Sequence, residues 1–129
     1  MNRVLLDTHA FLWFVFDDPR LSARAEATMS DPRITKLLGV ASLWEIVIKH
    51  QLGKLGLGME VQTFFDRFIH REGLEIVPIE PSHLVAYAQL PLHHRDPFDR
   101  LLVAQAKVLD MPIVTSDQSF EHYDVESLW

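Results

Sequence analysis

Short apolar runs that favour strands alternate along the chain with longer stretches in which apolar residues recur at helical spacing. This alternation is typical of βαβ units, in which consecutive strands lie parallel in one sheet and helices cover its faces. The runs that predict strands are 3–6, 34–40, 74–79, 111–115 and 125–129. The stretches that predict helices are 10–16, 22–30, 42–52, 61–68, 82–90 and 97–109. The pattern therefore predicts an α/β fold with a central, mainly parallel sheet flanked by helices.

Polar residues and glycine mark several predicted helix ends. Ser22 is placed to cap the second helix, and Ser42 with Glu45 has the spacing of a capping box. Asp96 precedes a proline, which predicts an N-cap followed by the first residue of the sixth helix. Gly53 is placed to end the third helix.

Length and composition indicate a folded domain of ordinary kind. The 129 residues are 48% hydrophobic and 23% charged, which predicts one globular domain over 1–129 and excludes disorder as the main state. There is no cysteine, so disulfides, thiolate metal sites and a cysteine nucleophile are excluded. The longest apolar run, 10–16, is too short to span a bilayer and lacks the flanking pattern of a signal peptide. We therefore expect a cytoplasmic protein that makes no membrane contact.

Four acids fall at equivalent places in the predicted fold. Asp7 and Asp117 follow the first and fourth strands, and Glu45 and Asp99 lie in the first turns of two helices. In a parallel sheet these places share one edge, where ligands bind. Local alternatives exist, because Glu45 and Asp99 could serve their helix ends and Asp117 could serve a turn. Asp7 is harder to explain locally, since a carboxylate between two apolar segments is costly to bury without a cation.

Carboxylates gathered at one edge stay ionised together only if a positive charge lies among them. Oxygen ligands without cysteine favour Mg²⁺ or Mn²⁺, ions that clamp phosphate oxygens and activate an attacking water. The acids therefore predict hydrolysis of a phosphodiester. The formal net charge of −6 argues mildly against a nucleic-acid ligand. If four of the 18 acidic residues belong to a metal site, however, the remaining 14 acidic residues nearly balance the 12 basic ones.

Basic and aromatic residues near these acids have two interpretations each. Lys49, Arg95 and Arg100 are candidate phosphate contacts, although Lys49 could instead pair with Glu45 at i,i+4. His9 could support Asp7, but a core or surface role is favoured. Trp13 and the phenylalanines of the fourth helix are expected in the core or a dimer interface, and not as base-stacking platforms.

Four blocks of sequence together resemble one known family. They are L-L-D-T-H-A-F-L-W at 5–13, S-L-W-E-I-V-I-K at 42–49, H-R-D-P-F-D-R-L-L-V-A-Q-A at 94–106 and I-V-T-S-D-Q-S-F-E-H-Y at 113–123. In this order and spacing they closely resemble the PIN-domain ribonucleases, in particular the VapC toxins of bacterial type II toxin–antitoxin systems. The resemblance runs from end to end and implies a PIN-like three-layer fold.

The resemblance also implies an activity and its partners. It implies an endoribonuclease that hydrolyses RNA with Mg²⁺ or Mn²⁺, is normally a homodimer and is silenced by a cognate antitoxin. The family acids that bind metal and carry catalysis fall on Asp7, Glu45, Asp99 and Asp117. Asp96, three residues before Asp99, could support the metal ligands without binding the metal itself, or it could simply cap the helix. Thr8 and Ser116 also match common family residues and are candidates for supporting contacts.

The same residues suggest two other functions. One is a binding and regulatory module of a toxin–antitoxin complex with little nuclease activity, which the aromatic content of the first and fourth helices would serve. The other is phosphoryl transfer through Asp7, which is disfavoured because Asp7-Thr8-His9 lacks the second aspartate of a D-x-D motif.

Overall fold

The computed structural model describes residues 2–70, 73–92 and 96–129, and in these the predicted parallel sheet is present. Five strands lie in the order β3-β2-β1-β4-β5, and every neighbouring pair is parallel. The strands are β1 (Arg3–Leu6), β2 (Thr35–Gly39), β3 (Glu75–Val77), β4 (Ile113–Val114) and β5 (Ser127–Leu128). The predicted α/β class is therefore confirmed.

Six α-helices in the described part of the chain correspond to the six predicted ones. They are α1 (Thr8–Val15), α2 (Ala23–Ser30), α3 (Val40–Gln51), α4 (Val61–Phe65), α5 (Pro81–Ala88) and α6 (Pro97–Leu109). A π-helical turn, Asp66–His70, continues α4, and a 3₁₀ helix, Gln118–His122, precedes β5. None of the helices described is long and apolar enough to cross a membrane.

The sheet is buried between two layers of helices because successive side chains of a strand point to opposite faces. In β1, Val4 and Leu6 belong to one apolar cluster, which contains Phe11 and Phe64 from the helices of that face. Leu5 belongs to the other cluster, which contains Val103 of α6. The three-layer arrangement therefore follows from a first strand that is apolar on both faces.

Two of the predicted helix caps are observed and one is wrong. The Ser22 hydroxyl accepts a hydrogen bond from the Ala25 N–H at 3.0 Å, and Asp96 accepts from the first turn of α6. Ser42 does not cap α3, because β2 passes directly into this helix through Gly39, its N-cap residue. Ser42 and Glu45 therefore lie inside the helix, and Glu45 is free to face the edge of the sheet.

The strand order places a crevice at the carboxyl ends of β1 and β4. From β1 the chain moves outward to β2 and β3, and it then returns to the other side of β1 to form β4 and β5. The Asp7 N–H donates to the Val114 carbonyl at 3.0 Å, so the residues that follow these two strands are held side by side. Open parallel sheets bind ligands at such a reversal of strand order.

Candidate active site

A cleft of about 250 Å³ lies at this carboxyl edge, and acidic side chains dominate its lining. Its walls contain the four predicted acids, Asp7, Glu45, Asp99 and Asp117, together with His9, Trp13, Lys49, Asp96 and Ser116. The acids come from the end of β1, from α3, from α6 and from the segment after β4. The structure therefore brings together residues that are more than a hundred positions apart in sequence.

Asp7 is buried and is held by hydrogen bonds to both of its carboxylate oxygens. The Thr115 hydroxyl donates to Oδ2 at 2.7 Å, and the His9 backbone N–H donates to Oδ1 at 3.4 Å, where Asp7 is the N-cap of α1. Burial raises the pKa of Asp7 above its ordinary value, and the charge of Glu45 raises it further. The hydrogen bond from Thr115 and the charge of His9 oppose this rise only in part.

Glu45 is also buried, and it lies between a hydroxyl group and an ammonium group. The Thr8 hydroxyl donates to Oε1 at 2.7 Å, and the Lys49 ammonium is 2.9 Å from Oε2. Thr8 Oγ1 is also 2.9 Å from the hydroxyl of Ser42. The i,i+4 pair of Lys49 with Glu45 is therefore present, and Thr8 contacts the same carboxylate.

Asp99 lies half-buried in the first turn of α6, and no hydrogen bond or ion pair to its carboxylate is found within the described ranges. Its pKa is raised from 3.8 to about 7, first by burial and then by the negative charge of its neighbours. Those neighbours are Asp96, Asp7, Glu45 and Asp117, in decreasing order of effect. The five carboxyl groups therefore share one electrostatic environment with an excess of negative charge.

Asp96 and Asp117 line the cleft and also cap helices. Asp96 Oδ1 accepts from the N–H groups of Phe98 at 2.8 Å and Asp99 at 3.3 Å. Asp117 caps the 3₁₀ helix by accepting from the Ser119 N–H at 2.9 Å. The positions of these two residues are thus consistent both with capping of a helix and with a role in the acidic site.

The predicted phosphate contacts have different outcomes. Lys49 lines the cleft, and about a third of its side chain is exposed. Arg100 does not face the cleft in this way: it is buried, and its guanidinium donates to the Pro91 carbonyl at 2.9 Å and to the Tyr87 carbonyl at 3.4 Å. In this structure the donors of Arg100 hold the carbonyls of Tyr87 and Pro91, and its contact with a phosphate stays a prediction. Arg95 lies outside the described residues.

The donors of the cleft fit a divalent cation that prefers oxygen. Its described lining has five carboxylate side chains and one ammonium group, and burial together with the neighbouring carboxylates raises the pKa of Asp99. Within the residues described, however, no three Asp, Glu or His side chains converge closely enough to hold a metal ion as they stand. Asp7 and Glu45 are instead engaged by the hydroxyl and ammonium groups given above.

Sequence reasoning missed two features of this site. Thr115, the residue directly after β4, contacts Asp7, and its position beside the end of β1 was the available signal. Trp13 lines the cleft and was expected in the core or an interface. Its spacing of four residues from His9 on α1 could have placed both rings on the face that begins at Asp7.

Comparison with known proteins agrees with this fold and identifies the family. The chain belongs to the PIN domain family, whose model matches residues 4–126. No curated protein matches the chain in sequence. Among solved structures, it is similar to VapBC2 from Rickettsia felis bound to a promoter DNA fragment, with a TM-score of 0.72, 17% identity and coverage of 98% of this chain and 97% of that one.

Two further structures have the same fold, with similar TM-scores and sequence identities. FitAcB from Neisseria gonorrhoeae has a TM-score of 0.68 and 20% identity, with 98% of this chain and 96% of that chain covered. VapBC-5 from Mycobacterium tuberculosis, a member of the VapBC family of toxin-antitoxin systems, has a TM-score of 0.64 and 19% identity, with 99% and 98% covered. At these identities the likeness establishes the three-layer PIN fold over almost the whole chain.

Proposed function

We propose that this chain is a metal-dependent endoribonuclease that hydrolyses RNA phosphodiester bonds as a single domain over 1–129. The observation that carries the proposal is the shared acidic cleft: Asp7, Glu45, Asp99 and Asp117 line one crevice at the reversal of strand order. Membership of the PIN domain family supports the same chemistry. A cation is the simplest way to neutralise carboxylates that raise one another's pKa.

Asp7, Glu45, Asp99 and Asp117 would hold Mg²⁺ or Mn²⁺, which when bound supplies charge neutralisation and an acidified water. Asp99 is favoured over Asp96 as a ligand, because its side chain is half-buried near the other acids, whereas Asp96 is exposed and accepts two helix N–H groups. Thr115 and Thr8 orient Asp7 and Glu45 by donating to them. Lys49, whose ammonium group lies 2.9 Å from Glu45 and lines the cleft, would supply a positive charge for a substrate phosphate.

The biological setting we propose is that of a toxin in the cytoplasm, silenced by a cognate antitoxin and acting as a homodimer. Support comes from the fold shared with VapBC-5, a member of the VapBC family of toxin–antitoxin systems, and with VapBC2 bound to promoter DNA. Large apolar side chains on the surface, such as Leu84, Val85 and Leu92, provide area for protein contacts.

One observation favours the alternative, a binding and regulatory module with little nuclease activity. Asp7 and Glu45 are satisfied by protein groups, and the described carboxylates form no ready group of three ligands. Under this alternative the acidic cleft would serve a basic segment of a protein partner, and the protein would not cut RNA with any metal.

Cleavage of a mixed RNA pool distinguishes the two functions. We expect cutting by the wild type with Mg²⁺ or Mn²⁺, no cutting with EDTA, and loss of cutting in Asp7→Asn. Asp110→Asn is the matched control: Asp110 lies outside the cleft and adopts a left-handed backbone conformation that asparagine tolerates. Absence of cutting under every condition would favour the binding module, and equal cutting by Asp7→Asn would refute the site.

A further inference from the structure

One wall of the cleft is aromatic, and the chemistry of the acids does not use it. His9 and Trp13 of α1 line the cleft beside Asp7, with their ring centroids 5.9 Å apart and the planes inclined by 49°. The Arg20 guanidinium lies over the Trp13 ring, 4.7 Å from its centroid. The Trp129 ring lies 5.8 Å from the same indole, and the two planes are inclined by 64°.

This wall is accessible and yet held in place. His9 is exposed and Trp13 is half-buried, whereas Phe11 of the same helix is fully buried in the core. Arg20 is itself fixed by Asp18, whose carboxylate accepts from Nε at 3.0 Å and from Nη2 at 2.7 Å. The Trp13 ring is therefore already oriented where it lines the cleft. Stacking of a ligand on it would cost little side-chain conformational entropy.

The charge of the cleft explains why such a wall would be needed. Of the described residues that line the cleft, five are carboxylates and one is a lysine, which is already paired with Glu45. The whole chain has a formal net charge of −6. Release of counterions from phosphates, the usual source of affinity for nucleic acid, is therefore weak here. Stacking of a base on an aromatic ring does not depend on net charge.

We propose that His9 and Trp13 form the stacking site for a nucleobase of single-stranded RNA next to the phosphodiester that is cut. The inference rests on the proposed nuclease function and names how its substrate is held. Asp7 caps α1 and Trp13 lies on the same helix, so the distance between the acids and the stacked base is fixed by one rigid element. Paired bases are already stacked in a duplex, so this wall selects unpaired RNA.

Three variants test the proposal through the two kinetic constants. Trp13→Leu keeps apolar packing but removes the aromatic face, and Trp13→Phe keeps a smaller face. Trp44→Leu is the matched control, because Trp44 is 60% exposed and packs on Phe98, and neither residue lines the cleft. Thermal unfolding first establishes that each variant is folded. On a single-stranded RNA oligonucleotide, Trp13→Leu should raise KM about 5- to 150-fold with little change in kcat.

Trp13→Phe should recover most of the loss, and Trp44→Leu should match the wild type. Recovery by phenylalanine separates stacking from a merely structural role, because leucine and phenylalanine both fill the space beside Trp129. An unchanged KM in folded Trp13→Leu would overturn the proposal and would leave Trp13 as a contact for a protein partner.

A second readout keeps this inference separate from the nuclease proposal. In EDTA, where no metal is present to support cutting, a single-stranded RNA oligonucleotide should quench indole fluorescence in wild type and Trp44→Leu, and quench much less in Trp13→Leu. This result supports stacking even if the wild type cuts no RNA, whereas equal quenching in all three proteins would refute stacking even if RNA is cut. Equal quenching by a blunt RNA duplex would also refute it.

Discussion

Replacing Asp99 by asparagine should stabilise the metal-free protein at neutral pH. In the folded chain, burial and the neighbouring acids raise the pKa of Asp99 from 3.8 to about 7. The folded state therefore holds this proton more tightly than the unfolded chain does. Below about pH 4 the group is protonated in both states and costs nothing, and its cost grows as the pH rises towards 7. Asparagine has nearly the same shape and carries no charge at any of these pH values.

The size of the effect follows from the pKa shift and the exposure of the group. A rise from 3.8 to about 7 sets an upper limit of about 4 kcal/mol on the destabilisation above pH 7. Asp99 is only half-buried, so solvent screens much of this interaction, and we expect about 1–2 kcal/mol. The raised pKa of Asp7 acts in the same direction and remains in the variant.

Urea unfolding in EDTA measures this difference. The free energies of unfolding of wild type and Asp99→Asn should nearly coincide at about pH 4 and separate progressively up to about pH 8, with the variant more stable. Asp110→Asn should follow the wild type, since Asp110 lies outside the cleft. A difference that is the same at every pH, or a variant less stable than wild type at pH 8, would refute the electrostatic argument.

Two further substitutions test the support of the site and the core. Thr115→Val removes the hydroxyl that donates to Asp7 at 2.7 Å and should lower the free energy of unfolding by about 1.5–3 kcal/mol at pH 7, measured in urea. Thr28→Val, which removes a hydroxyl bonded to a helix carbonyl, should cost about 1 kcal/mol, and an equal cost for both would contradict the role of the charge. Phe64→Ala removes a fully buried ring that packs on Phe11 and Phe68 and should cost about 3–5 kcal/mol by the same measurement. Phe16→Ala, at a ring that is 41% exposed, should cost clearly less, and the reverse order would refute this description of the core.

Element type was predictable wherever local chemistry and burial agreed. The bounds of β1 and α6 match the sequence-based ranges, because an apolar run ends at Asp7 and because Asp96-Pro97 opens a helix that ends at Asp110. The last two strands are shorter than their apolar runs. Hydrophobicity reports burial, whereas strand bounds depend on which residues find a partner in the next strand.

The predicted helix 61–68 shows a different limit. It divides into α4 and a π-helical turn at Asp66. A π turn adds about one residue per turn, and the spacing of the apolar residues is too coarse to reveal that change.

A shared cleft was predictable for Asp7, Asp99 and Asp117, because they follow strands or open a helix and a parallel sheet brings such places together. Glu45 joins them from inside α3, which begins directly after β2. The hydrogen-bond partners of the site residues were not predictable from the sequence, since these partners depend on packing between distant segments. Arg100 illustrates this, because its guanidinium is bound by carbonyls at Tyr87 and Pro91. Trp13 lies in a run that is apolar on every side, so its spacing of four residues from His9 was the only sign in the sequence that it lines the cleft.

The most direct test of the account is whether the carboxyl groups of the cleft form one metal site. Isothermal titration calorimetry of Mn²⁺ into metal-free protein measures this binding, and buffers of different protonation enthalpy give the number of protons released. Asp99, with its pKa of about 7, must lose its proton to bind a cation. We predict binding by the wild type with release of roughly one proton at pH 6 and much less at pH 8, and weak or no binding by Asp7→Asn. Binding of equal strength in wild type and Asp7→Asn, or no binding in either, would contradict the account.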